Sequence, residues 1–268
     1  IYQDKFKTLK CHYESLVNQK LKKVVKSLKQ MEYQVLQNEK ADTYRLYGDL
    51  IMANLYNLKD YSKDISVYDY ENDKQVSIKL DETKTLKDNA NKFYKLYNKA
   101  KTSNSKLAEL MEDLVQKKIF FENLLYSIRI AKTLIDLFEL TDEIEEDKKS
   151  IKESKHHSEP LKIDLGNETW IYIGRNNKQN DMIVSKISSE DDLWFHTKDC
   201  PGSHILLKTQ KVTDELIYKC AKYAKEYSNA STSTKAGIIY TKRKYLRKPP
   251  AAALGYVTYK NEKEIVVE

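Results

Sequence analysis

The sequence predicts an α+β fold: a long antiparallel coiled-coil hairpin carrying a small α+β tip, followed by a compact α+β domain. Three observations predict it. Two long stretches lack both Gly and Pro and carry apolar residues at helical spacing. Between them sits a short segment with two strand-like runs joined by Glu71-Asn72-Asp73-Lys74. Beyond them, β-branched and aromatic runs gather in the last stretch of the chain, together with Gly166, Gly174, Gly202, Gly237 and Gly255.

The first stretch places Phe6, Leu9, Tyr13, Val17, Leu21, Val24, Leu28, Met31 and Val35 three or four residues apart, one narrow helical stripe with Lys and Glu around it. A stripe that narrow needs a partner helix. The partner runs from Leu86 to about Leu140, with Leu107, Leu110, Leu114, Phe121, Leu124, Ile128, Ala131, Ile135 and Phe138 as its expected seam. Two separate amphipathic helices in a globular bundle are the alternative. Between the arms, Ala41–Leu58 is expected as a helix, and Ile65–Tyr70 and Gln75–Leu80 as a hairpin. Asp81, Thr85 and Asp88 offer starts for the return helix. The organisation that follows is a stalk over residues 1–153 with the tip inserted at about 38–86, a linker at 154–160, and a globular domain over 161–268. In that domain the strands are expected at Trp170–Ile173, Leu193–His196, His204–Lys208, Gly237–Thr241, Gly255–Tyr259 and Ile265–Val267, and one helix at Asp214–Tyr227.

Composition narrows the class. The 268 residues carry a net charge of +7, with 32% charged, and only 6 Gly and 4 Pro, well below the roughly 7% and 5% of average usage. Collagen-like, β-helical and Gly/Ser-linker architectures are excluded. No uninterrupted apolar run approaches the roughly 18 residues of a membrane span, and no charged-then-apolar leader opens the chain. Because it starts at Ile1, the sequence is expected to be a fragment. Cys11, Cys200 and Cys220 are odd in number and free of C-x-x-C pairing, which fits reduced thiols and a cytoplasmic location.

Three segments carry candidate chemistry. Asp192-Leu-Trp-Phe-His-Thr-Lys-Asp-Cys-Pro-Gly-Ser-His204 is expected as strand, turn and strand, with Trp194, His196 and Lys198 on one face and Leu193 and Phe195 on the other. An aromatic, an imidazole and an ammonium on one face, with Ser203 and His204 beyond the turn, suit base stacking and phosphate contact. Alternatively, Trp194 fills the core and His196 caps the turn. The H-x3-C-x3-H spacing of His196, Cys200 and His204 departs from common zinc fingers, and no metal site is expected. His156-His157 is expected as a solvated linker pair. Arg175, Asn176, Asn177, Lys178, Gln179 and Asn180 form an amide-rich loop after a strand, able to bond phosphate, sugar or base edges, or to satisfy itself as an Asx-rich turn. Lys242, Arg243, Lys244, Arg247 and Lys248 cluster near a strand end as a candidate phosphate patch, or a solvated charged face. There is no G-x-G-x-x-G or P-loop, no Ser/His/Asp constellation and no paired carboxylates at usable spacing, so neither catalysis nor a cofactor is expected.

Ile173-Gly-Arg-Asn-Asn-Lys-Gln-Asn-Asp181, the Asp192–His204 block and Ile239-Tyr-Thr-Lys-Arg-Lys244 resemble the RNA-binding domain that closes the NFACT proteins, and the preceding stalk, including Tyr47-Gly-Asp-Leu-Ile-Met-Ala-Asn54, resembles their middle coiled coil. These are ribosome-associated quality-control factors, labelled in bacteria as fibronectin-binding protein A. The resemblance implies a fragment that binds an obstructed large ribosomal subunit, its rRNA and tRNA, in support of C-terminal alanine tailing, with the three segments forming one RNA-facing surface. It implies binding without elongation, because the family's amino-terminal domain and helix-hairpin-helix region are not in this sequence. One departure is Pro249-Pro250-Ala251-Ala252-Ala253-Leu254-Gly255, where family members carry a Gly- and Lys-containing turn. A surface adhesin that binds fibronectin is the alternative function.

Overall fold

A computed structural model of the chain describes residues 2–144 and 159–268. Most of the expected linker at 154–160, with His156 and His157, lies outside the described residues. The chain divides into two compact units, one of Ile1–Val25 and Val115–Glu268, the other of Lys26–Leu114.

The absence of breakers gives two long helices, α1 (Tyr2–Asn38) and α3 (Leu86–Ile130), with α2 (Ala41–Ala53) and the strands β1 (Asp64–Asp69) and β2 (Lys74–Lys79) between them. α1 and α3 form a helical hairpin: Lys10 Nζ donates to the Arg129 carbonyl at 2.6 Å, and Asn38 Nδ2 to Asn104 Oδ1 at 2.7 Å. The partner number falls as the α1 number rises, so the helices run antiparallel. Tyr13, Val17, Val24 and Leu28 are buried, as the α1 stripe requires. The expected seam on the return arm holds at Leu107, Phe121, Leu124, Ile128 and Ala131 and fails beyond them. α3 stops at Ile130, and Thr133 opens a new helix, α4 (Leu134–Glu139), with a capping box in which its side chain and that of Asp136 each accept the other's backbone N–H, and the short α5 (Thr141–Ile144) follows. That break rotates the phase, leaving Ile135 66% and Phe138 56% exposed while Leu137 and Leu140 are buried. Leu110 is likewise half exposed and is not a seam residue.

In the unit of residues 26–114, alternation of β1 points Ile65 and Val67 inward, facing Ile78 and Val76 of β2. They pack with Leu50 and Ile51 of α2 and Leu86 and Ala90 of α3. α2 ends at Ala53, short of the expected Leu58, where Asn54 turns its side-chain amide back onto the Leu50 carbonyl at 2.8 Å.

In the other unit, six strands form an antiparallel sheet in the order β10-β7-β5-β6-β4-β3. They are β3 (Leu161–Asp164), β4 (Trp170–Ile173), β5 (Leu193–Thr197), β6 (Ile205–Lys208), β7 (Ala236–Lys242) and β10 (Lys263–Val267). The edge strand β3 was not expected from the sequence. Of the expected strand at Gly255–Tyr259, only β9 (Thr258–Tyr259) pairs, and it pairs with β8 (Leu246–Arg247) rather than with the sheet. α7 (Asp214–Glu226) covers one face, where Cys220, Ala221 and Ala224 meet Ile173, Leu193, Phe195, Ile205 and Ile238. Burial pushes the Cys220 thiol up to about 12, so it behaves there as a small apolar group. The opposite face is covered by α6 (Asn177–Met182) and the π-helical turn Ile183–Ile187 that continues it. Ile183 and Val184 cluster there with Trp194, Leu206, Ile239 and Leu246.

The base of the hairpin belongs to the same unit as this sheet. Asn177 Nδ2 donates to the Phe120 carbonyl at 3.3 Å and the Lys178 backbone N–H to Glu143 Oε1 at 3.4 Å. Lys20 Nζ in turn caps the Ile144 carbonyl at 2.8 Å.

Candidate nucleic-acid interface

Strand alternation places Trp194 and His196 on one face of β5 and Leu193 and Phe195 on the other, as the sequence predicts. The face bearing Trp194 is not open surface. Trp194 is 2% exposed, packed on Leu206 and Ile239, with His196 stacked parallel to it at 5.8 Å and His204 edge-on at 5.1 Å. Of the two readings of Trp194, base stacking and core filling, the structure places it in the core. Its neighbours across the ladder, Leu206 and Thr241, hold it inside the sheet. His204 and Ser203 are buried as well, and of the expected trio only Lys198 is exposed, ion-paired to Glu264 at 2.7 Å. His196 is half-buried. Burial holds the imidazoles of His196 and His204 below the ordinary range, so both are neutral at pH 7, and His196 beside it lowers His204 further.

The turn between β5 and β6 needs Gly202. A Cβ there would meet the Ser228 Cβ at 2.7 Å and Thr197 Oγ1 at 3.0 Å, because the turn bridges directly to Ser228. Thr197 Oγ1 closes the turn by donating to the Cys200 carbonyl at 2.8 Å. His196, Cys200 and His204 all line one cavity, yet among the described residues no group of three or more His, Cys, Asp and Glu side chains gathers to hold a metal.

The amide loop after β4 is internal. Asn176 caps α6 by accepting the Gln179 N–H at 2.8 Å; Gln179 Oε1 accepts the Arg175 N–H at 2.9 Å; Asn180 Oδ1 accepts the His204 N–H at 3.0 Å. All four amide side chains, of Asn176, Asn177, Gln179 and Asn180, are buried. A Cβ at Gly174 would collide with Asn180 Oδ1, which explains a glycine at the entry to this loop. These amides are thus corrected from RNA contacts to braces joining α6, β6 and the base of the hairpin. Arg175 keeps its side chain exposed, and Lys178 is half-buried.

The basic run 242–248 is split by its partners. Lys242 and Lys244 share the carboxylate of Asp191 at 3.0 and 3.2 Å, and their hydrogen bonds hold Asp191 below the usual carboxylate range. Lys248 pairs with Asp181. Arg243 turns inward, its Nε donating to the Val184 carbonyl at 2.8 Å and to Ser188 Oγ at 3.1 Å, a clasp on the π-helical turn. Arg247 stays exposed. Exposed cations thus remain at Arg175, Lys198, Lys242, Lys244, Arg247 and Lys248, while Arg243 serves the fold.

What the sequence reading missed is the rest of the cavity. It has a volume of about 290 Å³, and its walls include Tyr259 and Val257 from the far end of the chain and Asn123 from α3. No local pattern marks those residues, which tertiary packing brings together; Val257 packs against the Trp194 cluster and the Tyr259 ring lies 5.9 Å from Trp194.

Comparison with known proteins bears on this arrangement. Residues 1–162 match the NFACT N-terminal and middle domains, and residues 163–261 match the NFACT protein RNA binding domain. A protein named Rqc2 homolog RqcH from Bacillus subtilis is 31% identical over 99% of this chain and 48% of its own length. Its namesake from Streptococcus suis is 28% identical over 94% of this chain and 46% of its own length. The chain spans about half the length of these curated relatives. Among solved structures, the C-terminal part of the fibronectin/fibrinogen-binding protein from Streptococcus suis superposes with a TM-score of 0.73 at 25% identity, over 98% of this chain and 94% of that one.

Proposed function

The chain belongs to the NFACT family, and from that premise we propose that it is a noncatalytic RNA-binding part of a ribosome-associated quality-control factor. In this reading it acts in the cytoplasm on obstructed large ribosomal subunits. It contacts rRNA and tRNA there and supports the addition of C-terminal alanine tails to stalled nascent chains.

The match of residues 163–261 to an RNA-binding domain carries the reading. The site supports it physically. The net charge of +7 favours a polyanion. The exposed cations Arg175, Lys198 and Arg247 lie on the domain so matched. The buried imidazole of His204 and the braced amides serve the interior, which leaves the exposed cations to meet phosphate. A second reading, binding of fibronectin at a cell surface, is favoured by one observation, the name of the Streptococcus suis protein whose structure this chain resembles.

One experiment separates the two. The chain is tested for co-sedimentation with purified large subunits and for capture on immobilised fibronectin, each across a salt series. The RNA reading expects subunit binding that weakens steeply with salt as phosphate contacts release counterions. Salt-insensitive capture on fibronectin without subunit binding would overturn it.

A further inference from the structure

β8 and β9 form a two-stranded sheet of their own, apart from the six-stranded one. Leu246 of β8 is buried in the cluster around Trp194 and anchors this small sheet. Strand alternation turns its neighbour Arg247 the other way, to solvent. Thr258 stands opposite Arg247, and the ladder runs one step further, where the Lys260 N–H donates to the Tyr245 carbonyl at 3.2 Å. Tyr245, Arg247, Thr258 and Lys260 are all exposed.

Two features mark this outer side. The first is unneutralised charge. Lys198, Lys242, Lys244 and Lys248 each have a carboxylate partner, whereas the side chains of Arg247 and Lys260 have none among the described residues. These two are diagonal neighbours across the ladder, a spacing of about 7–8 Å. That is within the Debye length of about 8 Å at physiological salt, so the two cations repel until an anion lies between them. The second is an aromatic ring left in solvent. Tyr245 is 37% exposed, joins neither hydrophobic cluster of the six-stranded sheet, and carries the Lys244 ammonium 5.7 Å from its ring centre.

A solvent-facing ring among cations suits a base and its own phosphates. Double-stranded RNA would supply the phosphates but keep its bases stacked on one another. An acidic peptide would meet the cations and leave the ring unused. We propose that the outer side of β8–β9 binds single-stranded RNA, one base stacking on Tyr245 while neighbouring phosphates meet Arg247 and Lys260. The proposal rests on the RNA-binding reading above and adds to it a location and a base contact.

The whole chain is titrated with a labelled, mixed-sequence single-stranded RNA and with an abasic strand of equal length, each across a salt series. Tyr245→Ala should weaken RNA binding about 10- to 100-fold, the worth of one stacked base, and leave abasic affinity unchanged. Tyr245→Phe, which keeps the ring, should bind both strands as the native chain does. Arg247→Gln combined with Lys260→Gln should weaken both strands and lower the log–log salt slope by about 1.4, at roughly 0.7 for each phosphate contact on a single strand. Lys219→Gln combined with Lys222→Gln removes the same charge from the exposed side of α7 and should leave the slope as it is. Native RNA affinity in Tyr245→Ala, or an equal loss on both strands, overturns the proposal. So does a native slope in the Arg247, Lys260 variant, or the same drop in the α7 variant. In each of these cases the native chain still binds RNA and the broader reading stands; a native chain that binds neither strand overturns both. The charge variants decide the location even if Tyr245→Ala does not fold.

Discussion

Along β5, Leu193 and Phe195 point to α7, and Trp194 and His196, their immediate neighbours, point to the opposite face of the sheet. The α7 face is filled by aliphatic side chains, Phe195 and the apolar thiol of Cys220, each large side chain contributing roughly 1.5–3 kcal/mol of burial free energy. The other face mixes Ile183, Leu206 and Ile239 with a tryptophan, two histidines and the braced amides of α6, and it contains the cavity. One face is a core and nothing else. The other is also a core, but it leaves ring nitrogens unpaired inside it. Polar satisfaction, not burial, is what distinguishes the two faces.

The largest effect expected from this contrast is on the α7 face. Phe195→Ala should lower unfolding free energy by about 3–5 kcal/mol through the cavity it leaves. RNA affinity of the remaining folded protein should be unchanged. Denaturant melts paired with filter binding test this, and a loss of affinity in the folded fraction would mean that the two faces are coupled.

Next is the brace. Asn180→Ala strips the acceptor from the buried His204 N–H and should cost about 1–3 kcal/mol. Unlike Phe195→Ala, it should also weaken RNA binding by the folded protein, because the backbone carrying His204 loses its restraint. An Asn180→Ala protein with wild-type affinity would show that α6 does not hold the cavity in shape.

Acid provides a third probe. His196 and His204 have folded-state values below the 6.5 of an exposed imidazole, so the unfolded chain binds more protons than the native one in that window. Their contribution to stability is complete above 6.5 and is lost as pH falls from there through the lowered folded values. A His196→Gln, His204→Gln double variant should flatten this part of the pH–stability curve. An unchanged acid slope would assign the loss to other groups.

The smallest effect lies outside both faces. Asp191→Asn frees Lys242 and Lys244, so RNA affinity at low salt should rise a few-fold and the log–log salt slope should steepen by about one. Isotherms at several salt concentrations would show it. No change in slope would place these lysines away from phosphate.

The sequence by itself determined whatever depends on local period. The α1 stripe from Tyr13 to Leu28 and the alternation of β1 were legible because a residue's neighbours at three, four or two positions fix which side it takes. For the same reason the sequence sets Trp194 opposite Phe195. What covers a face is not a local property. Trp194 is enclosed by Leu206 across the ladder, by Ile183 and Val184 of the turn after α6, and by Tyr259 from the end of the chain, so only the tertiary structure decided that its face is interior. The basic run shows the same limit. Its charges are written in consecutive residues, but Asp191 and Asp181, which pair with Lys242 and Lys248, lie 51 and 67 positions away. The return arm fails differently, since α3 ends at Ile130, about two turns before the expected seam ends at Phe138, and the capping box at Thr133 starts a new helix. Periodicity fixes which residues share a face. Only the packing of distant segments fixes what that face meets, because burial and charge pairing are contacts in space and carry no period along the chain.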